Sequence, residues 1–369
     1  MKFLFVATVR SHIGQFHMPL IRALKAEGHT VHAAYRDNSA DKKGLDLSAI
    51  DRVFEVPFER SPYKPGNLLA YRKLKAILDK GDYDIIHCHT PMGAVITRLA
   101  AGRARKRGAK VFYTAHGFHF YRGASKLNWA LYYPVEKLLS GRTDTLITIN
   151  REDHELALSR HFAAGRIVRI DGVGVELDRF RAVTEAERAA ARAELGFSEG
   201  QTVLLYAADL SKRKNQPMLF RALARLKERC PDLLLLLPGQ PILQAEYEAQ
   251  CAELGISHMV RFLGYRRDID RLLAACDAVV SSSRQEGLPL NLIEAAARGR
   301  FIIATDVRGN ADVVRQSGSG VLVKLNDDKA MAAEIAKLCA SAPEAPDRKN
   351  IECYDSRAIV KTLFDLYGI

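Results

Sequence analysis

The 369-residue sequence has no long apolar run: its richest, Leu233–Leu237, spans five leucines, far short of the roughly 18 residues that a membrane span needs. At the start, MKFLFVATVRSH, the apolar stretch before Arg10 and His12 is too short for a secretory leader, so the cytosol is the expected compartment. Its six cysteines (Cys88, Cys230, Cys251, Cys276, Cys339, Cys353) form no C-x-x-C pair, a spacing that suits reduced, mostly buried thiols better than a disulfide framework or a zinc knuckle. Dinucleotide fingerprints are also missing. SHIGQF (11–16) lacks the G-x-G-x-x-G spacing, and GVGVEL (172–177) fails because Leu177 stands where the third glycine belongs. Neither a G-x-x-x-x-G-K-[ST] phosphate loop nor a G-x-S-x-G elbow occurs, which argues against an ATPase and an α/β-hydrolase.

What is present is the balance of a globular protein, 48% hydrophobic and 27% charged, long enough for two domains. Charge is unevenly placed. Residues 1–180 hold 29 Lys and Arg against 18 Asp and Glu, whereas residues 181–369 hold 26 against 25. The first half is therefore expected to face something anionic: phosphates, an acidic membrane surface or nucleic acid.

Short apolar runs alternate with helical patterns throughout. The runs Lys2–Ala7, Thr30–Ala34, Val53–Val56, Asp84–His89, Lys110–Ala115, Thr145–Ile149 and Ile167–Ile170 are expected strands, as are Thr202–Ala207, Leu233–Leu237, Val260–Leu263, Ala278–Ser281, Phe301–Ala304 and Gly320–Val323. Between the first series lie expected helices at Gln15–Glu27, Asn67–Lys80, Gly93–Lys106, Lys126–Ser140 and Glu152–His161. Near-continuous apolar strands separated by helices read as parallel sheets covered on both faces. The predicted fold class is α/β: two Rossmann-like, doubly wound parallel-sheet domains facing a cleft, at 1–171 and 172–355. A final helix from Ser356 would pack across the domain junction. Residues 172–200 read as the connection plus one helix. Ligands in such sheets bind beyond the carboxyl ends of the strands.

Four segments there can carry chemistry. RQEGLPLNLIEAAARG (284–299) follows a strand and opens a helix near Pro289, where free N–H groups favour a phosphate. Glu286 and Glu294 could accept bonds from the vicinal hydroxyls of a sugar; read blandly, they are an N-terminal cap and a solvated helix glutamate. YAADLSKRKNQPMLFRAL (206–223) gathers Lys212, Arg213 and Lys214 where a strand meets a helix. That group suits a diphosphate, although such runs are commonly solvated turns. YTAHGFHFYRGA (113–124) puts His116 at a strand end, able to meet a sugar or phosphate oxygen, while a lone histidine is commonly structural. SHIGQF is read as a glycine-bearing turn. His87 and His89 in IIHCHT point to one side of a strand; with no H-x-x-x-H or C-x-x-C partner they read as structural, not as metal ligands.

Together, Glu286 and Glu294, the basic turn ending in Lys214, and His116 in a glycine-bearing loop resemble retaining glycosyltransferases of family 4, with the GT-B fold. YTAHGFHFYRGA, the stretch Asn128–Glu136 and DTLITINREDHELA (144–157) resemble a subgroup that builds bacterial capsular and extracellular polysaccharide. The resemblance implies a first domain for the acceptor and a second for a nucleotide-sugar, commonly a UDP-sugar. It implies that Glu294 holds the ribose hydroxyls and Glu286 the transferred sugar. The N–H groups from Leu288 through Pro289 and Leu290 to Asn291, beside Gly287, would hold the diphosphate with Lys214. Gly14 would let the first loop approach the phosphates, His116 would contact the reacting sugar, and Phe262–Arg266, with Leu263, Tyr265 and Arg266, would meet the base. Many family members carry arginine where Asp209 stands, so Lys212 or Arg213 is expected to replace that cation. Retention by front-face attack is implied, with the cations and the helix start standing in for Mg²⁺, so no metal and no cofactor are expected.

The acceptor is expected to be a polyprenyl-diphosphate-linked sugar or a saccharide. FERSPYKPGNLLAYRKLKAILDKG (58–81) is basic and Tyr-bearing, and Leu68, Leu69, Leu74, Ile77 and Leu78 are assigned to its buried face. Peripheral attachment to the inner face of an anionic membrane fits it; a solvated helix fits the segment equally well. Three other classes remain in view. A UDP-sugar 2-epimerase shares the scaffold but needs no acceptor. A nucleic-acid-binding protein would explain the basic pI, yet no recognition motif appears and no nucleic acid is expected. An NAD-dependent oxidoreductase lacks its fingerprint.

Overall fold

The structure, a computed structural model, describes residues 1–39, 44–198, 200–341 and 350–369. They group into two compact units: Met1–Gly174 with Ser356–Ile369, and Val175–Asp355. The first unit therefore runs past residue 171 and includes the terminal helix Ser356–Tyr367. Ile359, Leu363 and Tyr367, spaced four apart on one helical face, are its buried apolar side chains. Tyr367 donates or accepts at His87 Nδ1 (2.6 Å) and packs edge-on against Phe3 and Phe112. A crowded backbone marks the crossing. A Cβ on Gly174 (φ +85°) would sit 2.5 Å from Ser356 Cα, so only glycine fits there.

The sheet of the first unit comprises β1 (Lys2–Val9), β2 (Thr30–Arg36), β3 (Arg52–Glu55), β4 (Ile85–His89), β5 (Lys110–Ala115), β6 (Thr145–Thr148) and β7 (Arg166–Arg169). Its order is β3-β2-β1-β4-β5-β6-β7, and every neighbouring pair is parallel. The second unit holds β8 (Thr202–Leu205), β9 (Leu233–Pro238), β10 (Val260–Gly264), β11 (Ala278–Ser281), β12 (Phe301–Thr305) and β13 (Gly320–Val323). Its order is β10-β9-β8-β11-β12-β13, again all parallel. Strands such as β4 and β9 are buried along their whole length, as befits sheets covered by helices on both faces. In each unit the strand order reverses beside its first strand, at β1/β4 and at β8/β11, and these are the places where such sheets open to ligands.

Three expectations are corrected. SHIGQF is not a turn: β1 extends to Val9 and the chain passes directly into the helix Arg10–Phe16. Gly14 lies inside that helix, where a Cβ would come within 3.0 Å of Leu45 Cδ1, so its smallness seats Leu45. The expected helix Gln15–Glu27 is broken at His17, because Pro19 at the start of Met18–Ala26 cannot donate to the preceding turn. In the helix Gly66–Lys80, Leu74 and Leu78 are buried, but Leu68 and Leu69 are each 58% exposed. They lie on the outer side of a first turn whose Asn67 and Ala70 are buried. No helix among the described residues is long and apolar enough to cross a membrane. Four of the six cysteines are buried and all are free thiols.

Candidate functional site

In the second unit, chemistry gathers at the β8/β11 switch point. β8 leads into Tyr206, which is fully buried and bonds the Lys214 carbonyl (3.0 Å) and Ser283 Oγ (2.7 Å). It thereby ties the turn after β8 to the loop after β11. Asn215, in the left-handed conformation, donates to the Ser282 carbonyl (3.1 Å). Glu286 occupies the space so framed. Its Oε1 accepts from Lys214 Nζ (2.7 Å) and Ser283 Oγ (2.6 Å), and its Oε2 from Arg213 Nη1 (2.9 Å). Burial alone would raise the carboxyl's pKa; the Lys214 and Arg213 charges outweigh it and hold Glu286 below its ordinary range.

Glu286 is held from behind as well. Arg308 Nε donates to its backbone carbonyl (2.9 Å). Gly309 (φ +81°) lies so near that a Cβ would stand 2.6 Å from the Gly287 oxygen. The helix Leu290–Ala297 begins after Pro289, leaving Leu290 and Asn291 N–H groups in the first turn with no partner four residues back. Asn291 Nδ2 donates to the Ala207 carbonyl (3.2 Å), bringing the helix start to the end of β8. The result is two cations, a carboxylate and a helix start around one strand end, an arrangement suited to an anion and a hydroxyl-bearing group.

The remaining candidates divide. Glu294 lies one turn inside the same helix, partly buried, and its pKa is pushed up to about 7 by burial, with Asp270 adding to the rise and Arg179 opposing it. Lys212 is exposed and makes no ion pair among the described residues, unlike its neighbours. Asp209 turns its carboxylate to the Gln240 N–H (3.2 Å), away from the role a cation would have there. Leu263 packs partly into the core, Tyr265 is 47% exposed, and Arg266 forks onto Asp268 (2.8 and 2.5 Å). The expectation that no D-x-D motif is present to hold a divalent ion is corrected: two such triplets occur, at 82–84 and 268–270. Three of the four acids are engaged: Asp84 accepts from Lys2 N–H, and Asp268 and Asp270 pair with Arg266 and Arg179, whereas Asp82 is almost fully exposed, 4.0 Å from Arg107.

The first unit has its own cluster, at the β1/β4 switch point. His116 follows β5, and its Nε2 lies 3.2 Å from His12 Nε2 and 3.3 Å from His89 Nδ1. His17, turned inward by the helix break, stacks on His89 with ring centroids 3.8 Å apart. Burial lowers the pKa of all four, His116 to about 4, and mutual repulsion deepens the effect for His12, His17 and His89. His87 is different: Tyr367 and Thr114 hydroxyls engage its two ring nitrogens. The His116 loop is anchored by Asp153, fully buried, whose Oδ2 accepts from Phe118 N–H (2.9 Å) and Asn150 Nδ2 (2.8 Å). Ser283, Tyr206, Arg308 and Asp153 were not singled out from the sequence. Their types are ordinary, and only the strand order brings them to the site. Asn150 and Asp153 do lie within the 144–157 motif.

A doubly wound pair of sheets with cations and a carboxylate at one switch point can take an anionic, hydroxyl-bearing ligand at the strand ends, and comparison with known proteins makes the class specific. Residues 18–179 match the profile of Glycosyltransferase Family 4, and residues 187–353 that of Glycosyl transferases group 1. EpsD of Bacillus subtilis (strain 168), provisionally named a glycosyltransferase, is 44% identical over 337 residues, 91% of this chain and 87% of its own. An Escherichia coli UDP-Gal:alpha-D-GlcNAc-diphosphoundecaprenol alpha-1,3-galactosyltransferase is 28% identical over 69% of this chain and 66% of its own. Among solved structures, Anabaena Alr3699/HepE in complex with UDP and glucose superposes with a TM-score of 0.80 at 22% identity, covering 100% of this chain and 99% of that one. The chain belongs to the glycosyltransferases, its first half to Glycosyltransferase Family 4 and its second to Glycosyl transferases group 1.

Proposed function

We propose that the chain moves a sugar from a UDP-sugar to a lipid-linked saccharide acceptor, with retention of anomeric configuration, in the building of an extracellular or capsular polysaccharide. The observation that carries the donor reading is the convergence of Arg213, Lys214 and Glu286 on the helix start at Leu290. Departure of UDP builds negative charge on the diphosphate. Two cations and helix N–H groups fixed beforehand lower that cost without a divalent ion, the kind of preorganised stabilisation that dominates many transfers. Arg213 then serves in place of the cation missing at Asp209. Lys212 does not, being turned to solvent.

Glu286 acts by orienting the sugar. Lys214, Arg213 and Ser283 already bind its two oxygens, which suits a positioning carboxylate better than a covalent nucleophile. Glu294 takes the ribose hydroxyls, and Leu263, Tyr265 and Arg266 the base. His116 is the first unit's candidate for contact with the sugar undergoing transfer. The name of the E. coli relative, which acts on a diphosphoundecaprenol-linked sugar, supports a lipid-linked acceptor. Attachment to the inner face of an anionic membrane is supported by exposed Tyr63, Leu68 and Leu69 beside Lys64, Arg72 and Lys73. Apolar side chains flanked by cations are what an acidic lipid surface holds.

The test is a UDP-release assay in chelator over a panel of UDP-sugars, with a polyprenyl-diphosphate-linked N-acetylhexosamine as acceptor and NMR of the product's anomeric centre. Acceptor-dependent UDP release with retention is expected. An inverted product would refute the stereochemical assignment, and acceptor-free interconversion of the donor would mark a 2-epimerase.

A further inference from the structure

The histidine cluster of the first unit has no part in the diphosphate chemistry, and its hydrogen bonding does not close. His116 Nε2 has two ring nitrogens within hydrogen-bond range, His12 Nε2 and His89 Nδ1. A neutral imidazole nitrogen carries either one proton or one lone pair, so one of those contacts is always poorly made. His17 Nε2 is buried with no partner, a cost of about 1–3 kcal/mol if left so, and so is His89 Nε2, the ring nitrogen opposite the Nδ1 that faces His116. Four imidazoles here each offer a ligand nitrogen within 4.8 Å of the others, and no carboxylate or thiol enters the group.

Two of the pair distances already match those of ligands around one ion, and the rest lie within 4.8 Å, so the rings close on it by small shifts. Zn–N bonds of about 2.0–2.1 Å in a tetrahedron set ligand nitrogens about 3.3 Å apart, against 3.2 and 3.3 Å for the His12–His116 and His116–His89 pairs. An all-imidazole set selects zinc-like first-row ions over Mg²⁺ or Ca²⁺, which prefer oxygen. His12 and His116 are only half-buried, and His17 and His89 border a small cavity with Phe16 and Leu363, so an ion has a way in. We propose that His12, His17, His89 and His116 form a binding site for one divalent transition-metal ion of the zinc class, which pins the helix after β1, the end of β4 and the loop after β5 together. His116 commits only Nε2 to the ion, and Nδ1 stays available to a sugar oxygen. The site revises the expectation of a metal-free chain for the first unit alone; the diphosphate chemistry is unaffected.

The sequence shows why the pattern escapes a motif search. His12 lies in the helix after β1 and His17 just past its end, in an H-x4-H spacing that by itself is half of a metal motif, while His89 ends β4 and His116 follows β5, so the second half is not local in the sequence.

The full chain, purified without a polyhistidine tag and stripped with chelator, is titrated with Co²⁺ and followed by its visible d–d absorption and by elemental analysis. One Co²⁺ per chain is expected, with a tetrahedral spectrum that Zn²⁺ abolishes. His89→Asn and the more exposed His12→Asn should each weaken binding tenfold or more, while His258→Asn, at an exposed position in the second unit, should not. A chain that takes up no stoichiometric Co²⁺, or that binds it equally in both cluster variants, overturns the proposal. Circular dichroism of the variants excludes loss through unfolding. UDP binding, which rests on residues of the second unit, is read separately by calorimetry, so failure of the metal site and failure of the transferase reading are distinct results.

Discussion

A carboxylic acid that titrates near neutrality gives the proposed donor site a pH signature at the level of one residue. Glu294 is pushed up to about 7 by burial, and its ionised form accepts from a ribose diol at both oxygens, more strongly than the neutral acid holds it. UDP affinity should therefore rise several-fold between pH 6 and pH 8, and Glu294→Gln should flatten that profile while lowering affinity at pH 8. The sign for stability is the reverse. The folded state keeps the proton up to about pH 7, whereas an unfolded glutamate releases it near 4.5. Stability from this group is thus full below pH 4.5 and is lost as pH rises towards 7. Calorimetric melts of wild type and Glu294→Gln across that window check the slope. The spacing of Glu286 and Glu294 was visible in the sequence; their opposite titration was not. It depends on Lys214 and Arg213 meeting one acid while burial without a cation close enough to offset it governs the other, and the sequence shows neither.

Elements were more legible than residues where the chain is buried on both sides. Strands such as IIHCH and LLLLLP betray themselves because a covered parallel sheet leaves no polar face. Boundaries and breaks were less so. Pro19 splits a helix that periodicity alone would continue, and a glycine at position 14 proved to serve packing within a helix. The loop carrying Glu286 shows the same dependence on contacts between elements. Gly309 precedes the helix Asn310–Ser317, and its positive φ and its closeness to Gly287 leave no room for a methyl group. Gly309→Ala should cost about 2 kcal/mol or more from backbone strain and collision. Part of that cost would appear as displacement of Glu286 and a tenfold or greater rise in donor KM. Denaturant unfolding with donor kinetics tests both; unchanged kinetics in a destabilised protein would mean that the loop does not depend on this contact.

At the scale of the whole molecule, the basic excess was plain in the sequence, and the structure adds where apolar side chains join it. Leu68 and Leu69 emerge beside Arg72 and Lys73. Co-sedimentation with phosphatidylglycerol vesicles should exceed that with phosphatidylcholine and fall at high salt. Replacing both leucines with serine should weaken it at any salt; binding that ignores lipid charge would contradict this reading.

The central claim is that Lys214 and Arg213, at the strand end after β8, receive the donor's diphosphate. Isothermal titration of UDP in chelator-containing buffer tests it most directly. Wild type should bind one UDP per chain, Lys214→Ala and Arg213→Ala should each lose tenfold or more in affinity, about 1.4 kcal/mol, and Lys212→Ala should bind as wild type. Equal UDP affinity in wild type and all three variants would contradict the account.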